Sequence, residues 1–275
     1  MTASLGASAD TFVRGGRVVS DDGTQITYLS RGTGPVILTV HGGLGSAVSM
    51  LPLAGQLAES YTVVAMNCRG HGTSGPPRSA PGITHEIADI LAVIDAVGPI
   101  EVLFGYSYGA VLALETALTA PERIPALAVY EPPLPITYPV PDIAAVDAAL
   151  AAGEYEHLIL RASVTAGGFS SAELAALRGD PLWWFKVAQA PTLAATLRVL
   201  ADMDPTVDRY SAITAPTTVI TGTTSADYIL QAADLLAAVI PELTRKTLPG
   251  QGHHVDPAVL AEALTSSPPS SPPLG

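Results

Sequence analysis

Ser107 lies at the centre of Gly105-Tyr106-Ser107-Tyr108-Gly109, a Gly-x-Ser-x-Gly run. A serine hydroxyl attacks a carbonyl only when three conditions hold. A base within hydrogen-bond reach must take its proton, a carboxylate must steady that base from its far side, and preorganised donors must meet the developing negative oxygen. The chain offers six histidines for the base: His41, His71, His85, His157, His253 and His254. Composition alone does not separate the adjacent His253 and His254. No pair among the six has a zinc-ligand spacing backed by a third ligand, so no metal site is expected. Nothing in the sequence implies a cofactor.

The serine run sits where an apolar stretch, residues 100–104, turns directly into a helix-forming one, residues 110–118. So sharp a junction strains the serine backbone and requires glycine on both sides, which pushes Ser107 into a cleft. Around it, short β-rich runs alternate with longer helical ones, the pattern of a mostly parallel sheet with helices on both faces. Residues 12–19 and 25–31 read as an opening hairpin about Asp21-Asp22-Gly23, and further strands are expected at 36–40, 61–66, 101–104, 126–130, 217–221 and 244–248. Helices are expected at 47–58, 84–97, 110–118 and 226–239.

Residues 132–210 break the alternation. They open with five prolines in ten residues and continue as four or five Ala/Leu-rich helices with no strand between them. Inserted between two strands on the carboxyl side of a sheet, such a segment lies over the crevice where ligands bind, and is a candidate lid. The aromatic run Trp183-Trp184-Phe185 lies within it, either lining a pocket from above or pinning the lid to the body. Leu44, Tyr106, Trp183 and Trp184 are the expected pocket residues. The expected organisation is a flexible 1–11, a core of 12–131 and 211–265, a helical lid of 132–210, and a disordered Ser/Pro tail of 266–275.

With 48% apolar residues over 275 positions, the chain can build a large core. A net charge of −12 argues against nucleic acid and against an anionic membrane surface. Cys68 is the sole cysteine, which rules out an internal disulfide and fits a reducing compartment. The first ten residues lack a basic region and a continuous apolar core, and do not look like a secretory signal. The expectation is a cytoplasmic monomer or homodimer acting on a small molecule.

Four motifs, in order, resemble those of the α/β-hydrolase fold family, over nearly the whole chain. His41-Gly42-Gly43 follows a strand as that family's oxyanion loop does, and the stretch from Asn67-Cys68-Arg69-Gly70-His71 to Gly75 resembles its loop after the fourth strand, with Asn where Asp is common. The serine run is the third, and Pro249-Gly250-Gln251-Gly252-His253 resembles the segment that delivers the catalytic histidine. The resemblance implies His253 as base, with the backbone N–H groups of Gly43 and Tyr108 as oxyanion donors. It gives His41 and His71 a structural role.

The acid departs from the family's common pattern, which places an Asp three residues after the glycine ending the seventh strand. Counting from Gly222 lands on Ser225. Asp227, two positions on, more naturally opens the following helix, where its charge suits the dipole. Glu131 ends the sixth strand, and some relatives, haloalkane dehalogenases among them, supply the acid there. A carboxylate ending a buried strand needs a partner, which makes Glu131 the first choice and Asp227 the alternative.

A serine nucleophile points to acyl transfer, with small or medium apolar esters or lactones as substrates and an esterase or lactonase as the enzyme. Two other readings keep the scaffold: a ligand-sensing or non-hydrolytic protein, to which the missing Asp at position 225 lends support, and an acyltransferase or perhydrolase using the same triad.

Overall fold

The structure, a computed structural model, describes residues 13–78, 82–165, 169–181 and 183–266. The expected flexible amino terminus and residues 267–275 of the expected Ser/Pro tail lie outside the described residues.

Eight strands form one sheet: β1 (Arg14–Val19), β2 (Gln25–Gly32), β3 (Val36–Val40), β4 (Thr62–Met66), β5 (Val102–Tyr106), β6 (Leu127–Tyr130), β7 (Thr217–Gly222) and β8 (Leu243–Leu248). Their order across the sheet is β1-β2-β4-β3-β5-β6-β7-β8. The β1/β2 and β2/β4 pairs are antiparallel, and every later pair is parallel. Central strands such as Leu127-Ala128-Val129-Tyr130 are buried along their length because helices cover both faces of a parallel sheet. The edge strand β1 has no buried residue and carries Arg14 and Arg17, which discourages edge pairing.

Core helices α1 (Leu51–Leu57), α2 (Ile83–Val97) and α3 (Tyr108–Thr119) join the early strands. Every residue of α3 from Tyr108 to Ala117 is buried, as expected of a helix apolar all round. The single expected helix over 47–58 is instead a short 3-10 turn, Ala47–Met50, followed by α1, where Pro52 suits the opening turn of a new helix.

Among the described residues the stretch between β6 and β7 holds five α-helices, α4 (Ile143–Ala151), α5 (Tyr155–Thr165), α6 (Ser171–Gly179), α7 (Trp183–Ala188) and α8 (Ala190–Asp202), and a 3-10 turn at Asp208–Ala212. No strand interrupts them among the described residues. α9 (Asp227–Val239) and α10 (Pro257–Thr265) complete the chain. The sequence reading does not anticipate α10, a nine-residue helix whose start is fixed by Asp256 accepting from Ala258 N at 2.7 Å. Among the described residues, no helix is long and apolar enough to cross a membrane.

Candidate active site

Only two non-glycine residues of the described chain have positive φ: Ser107 at 53° and Glu131 at 50°. Each follows the last residue of a strand, and those last residues, Tyr106 and Tyr130, are register partners on β5 and β6. Strain of this kind costs on the order of 1–3 kcal/mol per residue and persists only where the surroundings enforce it. At Ser107 the enforcement is visible. Its N–H donates to Tyr130 O at 2.8 Å. A Cβ at Gly105 would lie 2.2 Å from Gly109 O, and one at Gly109 would lie 2.2 Å from Val40 O. Only glycine lets α3 start this close to β5 and β3.

Glu131 is buried, and its Oε2 lies 2.8 Å from His253 Nδ1. Its other oxygen accepts from the Ser225 hydroxyl and from Gly222 N at 3.3 Å. Burial pushes this carboxyl up, but the bonds from His253, Ser225 and Gly222 outweigh it and hold the group below the usual carboxylate range. Ser225, where the common pattern has an acid, thus donates to the acid that stands elsewhere. Asp227 is exposed in the first turn of α9 and does not meet the histidine. Among the described residues the resting site holds the His253–Glu131 bond, with no hydrogen bond between Ser107 Oγ and His253. In serine enzymes contacts between the nucleophile and its base often tighten only with substrate in place.

Two tyrosines fix the loop that carries His253. Tyr130 donates its hydroxyl to Gly252 O and Tyr106 donates to the next carbonyl, that of His253. The two rings stack at 5.1 Å. A comparable frame holds the loop of His41, Gly42 and Gly43. His41 Nε2 accepts from Cys68 N at 3.1 Å, so the ring is neutral with its proton on Nδ1, which donates to Gly42 O at 2.7 Å. Burial, helped by His71, lowers His41 to about 3. His71 Nε2 lies 3.2 Å from Gly43 O. Among the described residues the N–H groups of Gly43 and Tyr108 have no acceptor, which leaves both open to a hydrogen-bond acceptor in the cavity that the two residues line.

Beneath Tyr108 lies a buried acid. The Tyr108 hydroxyl contacts Glu86 Oε1 at 3.4 Å, while neighbouring Asp89 is gripped at both oxygens by Arg69 at 2.7 and 2.8 Å. Burial first, then Asp89, pushes the Glu86 carboxyl up to about 8. The folded protein therefore keeps a proton that the unfolded chain, with a carboxyl near ~4.3, releases; stability contributed at low pH is lost as the pH rises from there to about 8. Glu86→Gln is expected to melt above the wild type at about pH 8.5 and to approach it near about pH 5. Coincident melting curves at both values would show that Glu86 carries no such cost.

Ser107 and His253 open on one cavity of about 340 Å³, which Gly43, Leu44, Tyr106 and Tyr108 also line. Its roof differs from the sequence expectation. Neither Trp183 nor Trp184 lines it. Trp183 is buried in α7, which packs on α5, α6 and α8, whereas Trp184 is 70% exposed. The roof comes from Leu177 of α6 and from Leu193, Thr196, Leu197 and Leu200 of α8. Those α8 positions follow i, i+3, i+4, i+7, one face of a helix. That period was the available signal, and aromatic bulk is a poorer guide because it does not say which way a ring turns. Trp183→Ala is expected to destabilise by about 3 kcal/mol or more and Trp184→Ala by no more than ~0.5 kcal/mol. Equal melting temperatures for the two variants would contradict the packing described.

The chain belongs to the alpha/beta hydrolase family, which it matches over residues 37–263. A solved alpha/beta hydrolase from Sphaerobacter thermophilus DSM 20745 is 33% identical and superposes with a TM-score of 0.82, covering 90% of this chain and 98% of that one. An esterase from Exiguobacterium antarcticum shares the fold at 20% identity and a TM-score of 0.75, covering 92% of this chain and 98% of that one. Shorter matches reach the uncharacterized hydrolase YraK of Bacillus subtilis (strain 168), 36% identical over 113 residues, and epoxide hydrolase 3 of Siraitia grosvenorii, 32% identical over 113 residues. Each covers 40% of this chain, with 42% of the first protein and 36% of the second. The matches thus span less than half the length of these curated relatives.

Proposed function

We propose that this protein is a serine hydrolase that cleaves a small or medium apolar carboxylic ester or lactone. The observation that carries the reading is the 2.8 Å bond between His253 Nδ1 and the buried carboxylate of Glu131, beside the cavity onto which Ser107 opens. Glu131 holds the imidazole with its proton on Nδ1, so Nε2 is free to take the Ser107 proton as Oγ bonds to the acyl carbon. The carbonyl electron pair moves onto oxygen, where the N–H groups of Gly43 and Tyr108 receive it. His253 then gives its proton to the departing alkoxide. Water, deprotonated by His253, attacks the acyl-enzyme, and Ser107 recovers its proton. The balance is ester plus water to acid plus alcohol.

Ser107 also separates acyl from epoxide chemistry, relevant because one relative is named an epoxide hydrolase. Opening an epoxide with serine leaves an alkyl ether, which water does not cleave from the enzyme; opening it with a carboxylate leaves an ester, which it does. The leucine-rich roof and a cavity of about 340 Å³ favour a modest apolar acyl group. A fluorophosphonate probe tests the activated serine, and a panel of esters, lactones and thioesters tests the class. Stoichiometric labelling at Ser107 with turnover of esters or lactones is expected. An unlabelled Ser107 and no turnover across the panel would refute the reading.

A further inference from the structure

Thr196 is the one polar member of the α8 stripe that roofs the cavity. It is 5% exposed, yet among the described residues its hydroxyl makes no hydrogen bond. Other buried helical hydroxyls behave differently: Thr116 donates to Leu112 O at 2.8 Å and Ser163 to Ile159 O at 2.9 Å, each the carbonyl one turn back. Valine would fill the same volume without a polar group, and the Thr196 hydroxyl is not among the sealed, unpaired polar atoms of the described residues, so it is open to a partner in the cavity that the residue lines. Thr196 also abuts the oxyanion loop, its Cγ2 lying 3.3 Å from where a Cβ on Gly43 would stand. A molecule held in the cavity next to Gly43 therefore lies beside Thr196.

We propose that Thr196 Oγ1 is a third hydrogen-bond donor to the acyl oxygen, delivered by the helical insertion to complete the site that Gly43 and Tyr108 begin. The proposal rests on the serine-hydrolase reading above. Its substrate is accordingly an ester or lactone whose carbonyl oxygen is held from the core and from the roof together.

The test compares Thr196→Val, which keeps shape and loses the hydroxyl, with Thr196→Ser, which keeps the hydroxyl and loses the methyl. Turnover of the best ester of the panel, the rate of Ser107 phosphonylation, whose phosphoryl oxygen occupies the same place, and melting temperature are measured for each. Thr196→Val is expected to lower kcat about 10- to 100-fold with KM little changed, because the bond strengthens as charge develops. Phosphonylation should slow in parallel, melting should hold, and Thr196→Ser should recover most of the loss. Wild-type kcat in Thr196→Val, with Ser107 still labelled and required, would overturn this proposal and leave the hydrolase reading standing. So would a change confined to KM, or an equal loss in both variants, which would mark the methyl as the working part. An enzyme whose turnover does not need Ser107 would overturn both.

Discussion

Ser107→Ala is expected to lower ester turnover by roughly 10⁴-fold or more, with melting unchanged. The size follows from chemistry: without Oγ no acyl-enzyme forms, and only binding and the oxyanion donors remain to help a water attack directly. Alanine is the right probe because the backbone at this position is left-handed at φ 53°. Alanine carries the same Cβ as serine and inherits the same strain, whereas glycine would relieve it and confound stability with chemistry. The measurement is steady-state turnover of the purified variant beside a melting scan and fluorophosphonate labelling. Retention of wild-type turnover in a folded Ser107→Ala protein would discard the covalent mechanism.

The second large effect is expected at Glu131, the proposed acid. Glu131→Gln keeps size and removes the charge that steadies the imidazolium. Its amide can also present a donor to His253 and favour the wrong tautomer, an error worth about 10⁴ in turnover in serine proteases. Asp227→Asn, at an exposed helix start, is expected to leave turnover within about twofold of wild type, as surface changes away from a site do. Acidification should act like Glu131→Gln. The carboxyl is held below its usual range, so its contribution to stability is complete above the unfolded-chain value of ~4.3 and is lost as the pH falls through the lowered folded value. A near-inactive Asp227→Asn beside an active Glu131→Gln would show the wrong carboxylate had been chosen. Full activity in both would remove the carboxylate from the mechanism.

What could be read before folding, and what could not, divides along physical lines. The elbow was legible because its constraint is local: a strand meeting a helix within one residue needs Gly105 and Gly109 whatever else the chain does, and their close approaches to Gly109 O and Val40 O bear out that need. The eight strands were legible because a sheet covered on both faces writes itself as short apolar runs. The place of Glu131 was legible as a choice between two carboxylates: one ending a buried strand needs a partner, which put it ahead of Asp227, and the assembled sheet brings it, 122 residues away in sequence, within 2.8 Å of His253. Asp227 is nearer in sequence and farther from the chemistry. The roof was misread for a different reason. Trp183 and Trp184 are neighbours on a short helix and so point different ways, one inward to its companion helices and one to solvent. The tyrosine hydroxyls that hold Gly252 and His253 had no signal at all, because a backbone carbonyl as partner leaves no mark in the sequence.

Ser107 and Glu131 follow the register-paired ends of neighbouring strands, and the helical insertion begins only after the second of them. Inheritance can therefore treat the two parts separately. Recombination that exchanged the segment between β6 and β7 would bring in a new roof over the cavity, while the stretch 107–131 passed on intact with Ser107 and Glu131 in their places. A lineage built this way can change its diet without relearning its reaction.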